Sequence, residues 1–177
     1  MTTRVLGIDV SSDTFHVALQ GENGWMDNSF ANSRAGCAQL GRWLKRNGAD
    51  QVLACVEASG NYWVDVATWL YEHGHQVHRA NPLSIRRFIE SDLERTKTDK
   101  QDARHIGAYI VSRMALPGAV IRLWEPPCAV QYELRALSRR LEELIASRTA
   151  IVNRSKDPQV TAFVARGYKR DLTHLDR

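Results

Sequence analysis

Cysteine is scarce, and the sequence has no two cysteines close enough to act together. Cys37, Cys55 and Cys128 are widely separated and form no CxxC, which argues against a structural zinc and against a disulfide framework. Long hydrophobic runs are missing too: nothing approaches the roughly 20 apolar residues that span a bilayer. The opening Met1-Thr2-Thr3-Arg4 passes directly into a strand pattern with no signal peptide. Neither sign of charge dominates, since 24 Lys and Arg face 20 Asp and Glu for a net charge of +4. That balance permits a nucleic-acid partner without requiring one. These absences predict a cytoplasmic protein with reduced thiols and no membrane partner. What is present is a 44% hydrophobic content over 177 residues, enough for one full domain plus an appendage.

Val5 to Val10 is a short apolar run of the kind expected for a strand covered on both faces, and Asp9 is its one charge. A carboxylate in such a strand must be paired, hydrogen-bonded or metal-bound, which marks Asp9 as a candidate site residue. After a Ser11-Ser12-Asp13 turn, Thr14 to Gln20 alternates with Phe15, Val17 and Leu19 on one face, a half-buried strand paired back on the first. A third strand is predicted over Trp25 to Ala31. Asn32-Ser33 then caps a helix whose stripe is Cys37, Leu40, Trp43 and Leu44.

Gln51 to Val56 is a second apolar run, and it stops at Glu57. Acids just past the carboxyl end of a buried strand lie where α/β sheets place their sites. A helix with Tyr62, Val66, Trp69 and Leu70 at helical spacing follows, ended by Gly74, and its aromatics read as core, although Tyr62 begins beside Glu57. Gln76 to Arg79 is a short strand, and Asn81-Pro82 starts a helix with Leu83, Ile85, Phe88 and Ile89 inward and Arg86 and Arg87 outward. His73, His75 and His78 straddle a helix end, a turn and a strand, so convergence on a metal is not expected. Glu90 to Lys100 turns polar and reads as a mobile loop.

That loop delivers Lys97-Thr98-Asp99-Lys100-Gln101-Asp102-Ala103. Thr98 with Gln101 forms a capping box, so Asp99 and Asp102 could simply be first-turn acids favoured by the helix dipole. Three residues apart, however, they project about 60° from one another with Cβ atoms roughly 5–6 Å apart. They also begin the side that Ala103, Ile106, Ile110 and Met114 continue, which packs on the sheet. Past Trp124-Glu125-Pro126-Pro127, Val130, Leu134, Leu137, Leu141, Leu144, Arg148 and Ile151 alternate at spacings of four and three. That is a heptad seam with one polar member.

Three antiparallel strands, helix, strand, helix, strand and two helices is the order of an α/β ribonuclease-H-like fold, a mixed sheet flanked by helices. In it the first strand, the end of the fourth and the start of a late helix meet on one side. Asp9, Glu57, Asp99 and Asp102 occupy those three places. Four carboxylates together repel unless neutralised, and two divalent ions resolve this while activating water for phosphodiester chemistry.

The GIDVSSDTF opening, VEASGNY, KTDKQDA and WEPP with its leucine-spaced helix closely resemble the amino-terminal half of the DEDD transposases of bacterial insertion sequences, the group that includes the Piv/MooV DNA invertases. The resemblance implies a RuvC-like domain over residues 1–125 and a Mg²⁺ or Mn²⁺ pair held by Asp9, Glu57, Asp99 and Asp102. It implies DNA as substrate, and it allows a guide RNA, because some members use one. The long helix over 126–157 is expected to pair two copies through 129–153, and 158–177 to lead toward a second, serine-bearing domain that this chain lacks. A non-catalytic alternative is a nucleic-acid-binding and dimerisation module in which the long helix pairs two copies and Arg86, Arg87, Arg95, Lys97 and Lys100 contact phosphates; Tyr62, beside Glu57, is placed to touch the nucleic acid in either reading. A sugar-kinase or actin-like ATPase is a further alternative, since GIDVSSDTF also resembles the phosphate loop of that fold, but its second glycine-rich lobe is missing.

Overall fold

The computed structural model describes residues 4–91 and 99–176, and the side chains of 99–101 fall outside the description. Arg95 and Lys97 therefore lie outside the described residues, as does the capping box of Thr98 and Gln101. Of the stretch predicted as a loop, Glu90 and Ser91 close one helix, Asp99 and Lys100 open the next, and 92–98 lie outside the described residues.

Strands β1 (Arg4–Val10), β2 (Thr14–Gly21), β3 (Gly24–Ala31), β4 (Val52–Glu57) and β5 (Gln76–Ala80) form one sheet in the order β3-β2-β1-β4-β5. The first three pair antiparallel, whereas β1, β4 and β5 run parallel. Helices α1 (Arg34–Arg46), α2 (Val64–Glu72), α3 (Pro82–Ser91) and α4 (Asp99–Ala115) flank it. This is the mixed, ribonuclease-H-like sheet that the order of elements predicted.

β1 is apolar over Val5–Ile8 and β4 over Val52–Val56 because both of their faces are covered there. Leu6, Ile8, Val52, Ala54 and Val56 look toward Leu40 and Leu44 of α1 and Val66 and Leu70 of α2. Val5, Leu53 and Cys55 look the other way, onto Ile106 and Ile110 of α4 and Ile85 of α3. Ile106 and Ile110 are at most 1% exposed, and burial on that scale stabilises by about 1.5–3 kcal/mol per side chain. Local signals set the ends: Ser33 caps α1, its Oγ accepting from the Gly36 amide at 3.2 Å, and Asn81 Oδ1 accepts from the Leu83 amide at 2.9 Å to start α3.

Three side chains depart from the faces predicted for them. Leu83 is 51% exposed, because it stands in the first turn of α3 at a cavity mouth, and Tyr62 precedes α2 and is 57% exposed. Met114, in the last turn of α4, is 46% exposed.

The chain divides into two compact units, Met1–Pro126 and Pro127–Arg177. Trp124 ends the first, its amide donating to Val77 O at 2.7 Å and its ring meeting Trp63 edge-on at 5.3 Å. In the second, α5 (Ala129–Ser155) packs with α6 (Ala162–Leu175). The sequence reading assigned no helix to α6. Thr161 starts it, its side-chain oxygen accepting from the Val164 amide. Arg148, the polar member of the heptad seam, donates from Nε to Asp176 Oδ1 at 2.7 Å.

Candidate functional site

Residues on one face of a strand alternate, so Asp9 points with Val5 and Gly7 toward α4, and Glu57 does so with Leu53 and Cys55. The parallel ladder pairs Ile8 with Val56. One step further along, Asp9 and Glu57 are neighbours on strands spaced ~4.8 Å apart. The row continues through His16, opposite Asp9, and Ser29, opposite His16.

Asp102 arrives as the fourth residue of α4 and is half-buried. Asp9, Glu57 and Asp102 line one cavity of about 520 Å³, together with Ile85, Arg86, Glu90 and Ile106 among others. Asp99 opens α4 three residues before Asp102, and its side chain lies outside the description. An oxygen-only donor set suits a hard cation such as Mg²⁺. Among the described residues, though, no group of three or more His, Cys, Asp or Glu is assembled closely enough to hold a metal ion. The chemistry of the donors fits, and three of the acids share a cavity wall without being gathered into a ligand shell.

What brings α4 so low over β1 is a pair of glycines. A Cβ on Gly7 would strike the Ala103 carbonyl oxygen and stand 2.5 Å from the Gly107 nitrogen, and a Cβ on Gly107 would stand 2.5 Å from the ring of Trp25. Two residues beyond Asp102, Arg104 makes a bidentate pair with Asp27 of β3. Its Nε donates to Oδ1 at 2.8 Å and its Nη2 to Oδ2. That pair raises the already high Arg104 pKa, chiefly through the hydrogen bond. The sequence reading passed over Gly7, Gly107, Arg104 and Asp27. A glycine inside an apolar strand and another inside a helical stripe were the available signals of close backbone approach.

The predicted nucleic-acid contacts are scattered. Arg86 lines the cavity and donates from Nε to Glu90 Oε1 at 2.9 Å. Arg87 and Tyr62 are exposed, and neither is among the residues that line the cavity. The Lys100 side chain is outside the description. The three clustered histidines go separate ways: His73 donates from Nδ1 to Trp69 O at 2.7 Å, His78 from Nδ1 to Arg122 O at 2.9 Å, and His75 is buried. Burial pushes the Cys55 thiol up to about 12, and burial with Asp65 nearby pushes Cys37 up to about 11. Neither is a competent nucleophile near neutral pH.

A transposase family model, of the DEDD type, matches residues 6–164. Over 99% of its length the chain is 29% identical to the pilin gene-inverting proteins of Moraxella bovis and Moraxella lacunata, covering 55% of each. It thus spans about half the length of these curated relatives. Among solved structures, RuvC of Thermus thermophilus matches at 13% identity with a TM-score of 0.49, over 68% of this chain and 100% of that one.

Proposed function

Since the chain belongs to the DEDD transposase family, we propose that Asp9, Glu57, Asp99 and Asp102 are the acidic tetrad of a DNA recombinase that cleaves and joins strands of a bacterial insertion sequence. The observation that supports this most is the single cavity lined by Asp9 and Glu57 from adjacent parallel strands and Asp102 from the helix above them. The relatives named for inverting a pilin gene favour recombination over simple degradation.

In this mechanism the carboxylates of the tetrad would hold one or two Mg²⁺ or Mn²⁺ ions, which supply an activated water and stabilise the leaving oxygen of a phosphodiester. Asp9 and Glu57, side by side on the sheet, would present their oxygens to the same cation. Ile85, Ile89 and Ile106 give the cavity an apolar wall, which strengthens electrostatic interactions inside it. Arg86, which lines the cavity and pairs with Glu90, offers a cation to the scissile strand. Arg87, Arg95, Lys97, Lys100 and Tyr62 extend the contact along the backbone and onto a base. DNA is the substrate, a structured guide RNA is a further proposed partner, and two copies pair through residues 129–153. In domain terms, residues 1–125 carry the chemistry, 126–157 the pairing helix, and 158–177 the path onward.

A nucleic-acid-binding and dimerisation module without cleavage is the second reading. It is favoured by the absence, among the described residues, of an assembled metal-ligand group. Calorimetric titration with Mn²⁺ separates the two. The recombinase reading expects saturable binding that Asp9→Asn weakens at least tenfold, and unchanged binding in Asp9→Asn contradicts it.

A further inference from the structure

The site proposed above requires α4 to keep both its height over β1 and its rotation about its own axis. Height is set by the Gly7–Gly107 contact. Two glycines touching backbone to backbone interlock no side chains, so this contact alone leaves the helix able to roll. A roll of ~20° would move a side-chain end that sits ~5–6 Å from the axis by about 2 Å. Ligand distances in metal sites hold within about 0.2 Å.

The stop against rolling is on the flank opposite the acids. At 3.6 residues per turn, two residues advance ~200° around a helix, so Arg104 projects almost directly away from Asp102. Its guanidinium fork closes on both carboxylate oxygens of Asp27, a geometry that fixes direction as well as distance. Asp27 pairs with Ala18, and Ala18 with Gly7. The anchor and the fulcrum therefore share one row across the sheet, perpendicular to the strands. Such a pair adds direction to whatever stability it supplies. Arg104 and Asp27 side chains are 46% and 20% exposed, so solvent partly screens their attraction, and Ile106 and Ile110 also attach the helix.

We infer that Arg104 and Asp27 are positioning residues that set the roll of α4 and thereby hold Asp102 toward Asp9 and Glu57. This rests on Asp102 being a site residue, and two readouts keep the claims apart. The first is the Gly107 Hα resonance: the hydrogen standing where a Cβ would fall lies against the Trp25 ring and is shifted by it, so its resonance reports the roll without any metal. The second is Mn²⁺ affinity. In Arg104→Gln and Asp27→Asn, the Gly107 Hα resonance should move toward the ordinary glycine position and Mn²⁺ affinity should fall about tenfold, with the melting temperature within a few degrees of the parent. Arg104→Lys, keeping charge without the fork, should recover part of both. A Gly107 resonance unchanged in both variants overturns the stop. A moved resonance with unchanged Mn²⁺ affinity overturns its link to Asp102. Absence of Mn²⁺ binding in the unsubstituted chain fails the metal-site reading, and the link to Asp102 falls with it, while the resonance still decides whether the ion pair sets the helix.

Discussion

A methyl group at position 7 has no room beneath the Ala103 carbonyl, so Gly7→Ala must lift α4 from β1. Overpacking of this kind costs typically ~1–3 kcal/mol, and urea denaturation should show a loss in that range. The same substitution should weaken Mn²⁺ binding, because Asp102 rides on the displaced helix. His75 offers a pH-dependent test. Burial, and secondarily the neighbouring His73, lower its pKa below the ordinary value of 6.5. The unfolded chain therefore binds the proton more readily than the native one. This contribution to stability is fully present above pH 6.5 and is lost as pH falls from there toward the depressed native value. Melting temperatures measured from pH 7.5 down to pH 5 should decline, and His75→Gln should flatten part of that slope.

Among the elements, α5 shows most directly how far periodicity carries. Its heptad seam was readable from spacing, and the structure divides it. Val130, Leu134, Leu137 and Leu141 are 58–64% exposed, whereas Leu144 and Ile151, nearer α6, are half-buried. The exposed apolar part is thus about two heptads, Val130 to Leu141. If that seam joins two copies, sedimentation velocity at tens of micromolar should give a dimer, and Leu134→Glu with Leu141→Glu should give a monomer of unchanged helicity. A monomeric parent chain would contradict pairing through this helix. The helix α6 escaped the sequence reading because the large apolar residues on its one stripe are few, Val164, Tyr168, Leu172 and Leu175, and Phe163 stands 79% exposed. They suffice only against a helix already in place, since packing supplies most of a short helix's stability. For Leu83 and Met114 the limit was similar: spacing gives the face of a helix, but not how far its first and last turns are covered.

Over the whole molecule, charge is distributed unevenly. Up to Pro126 the chain has 14 Lys and Arg against 14 Asp and Glu, and after it 10 against six, so the net +4 resides in the second unit. Binding to DNA should weaken as salt rises, as phosphate contacts release counterions. Replacing Arg86 and Arg87 together with glutamine should lower the slope of log K against log salt by roughly one per true phosphate contact. An unchanged slope would remove both residues from the interface. The strand order and the positions of Asp9 and Glu57 in their strands were legible, because a charge in an apolar run and an acid at its end are visible in one dimension. The devices that hold α4 were not, since Arg104 and Asp27 are 77 residues apart and Gly7 passes unnoticed as one more small residue in a buried strand. The most direct test of the acidic site is a crystal structure of the chain soaked with Mn²⁺. Anomalous density bound by Asp9, Glu57 and Asp102 oxygens at about 2.1 Å, as for a hard octahedral cation, is the predicted result. Asp102 more than ~10 Å from Asp9, a gap that ions ~4 Å apart could not bridge, with no Mn²⁺ between them, would contradict it.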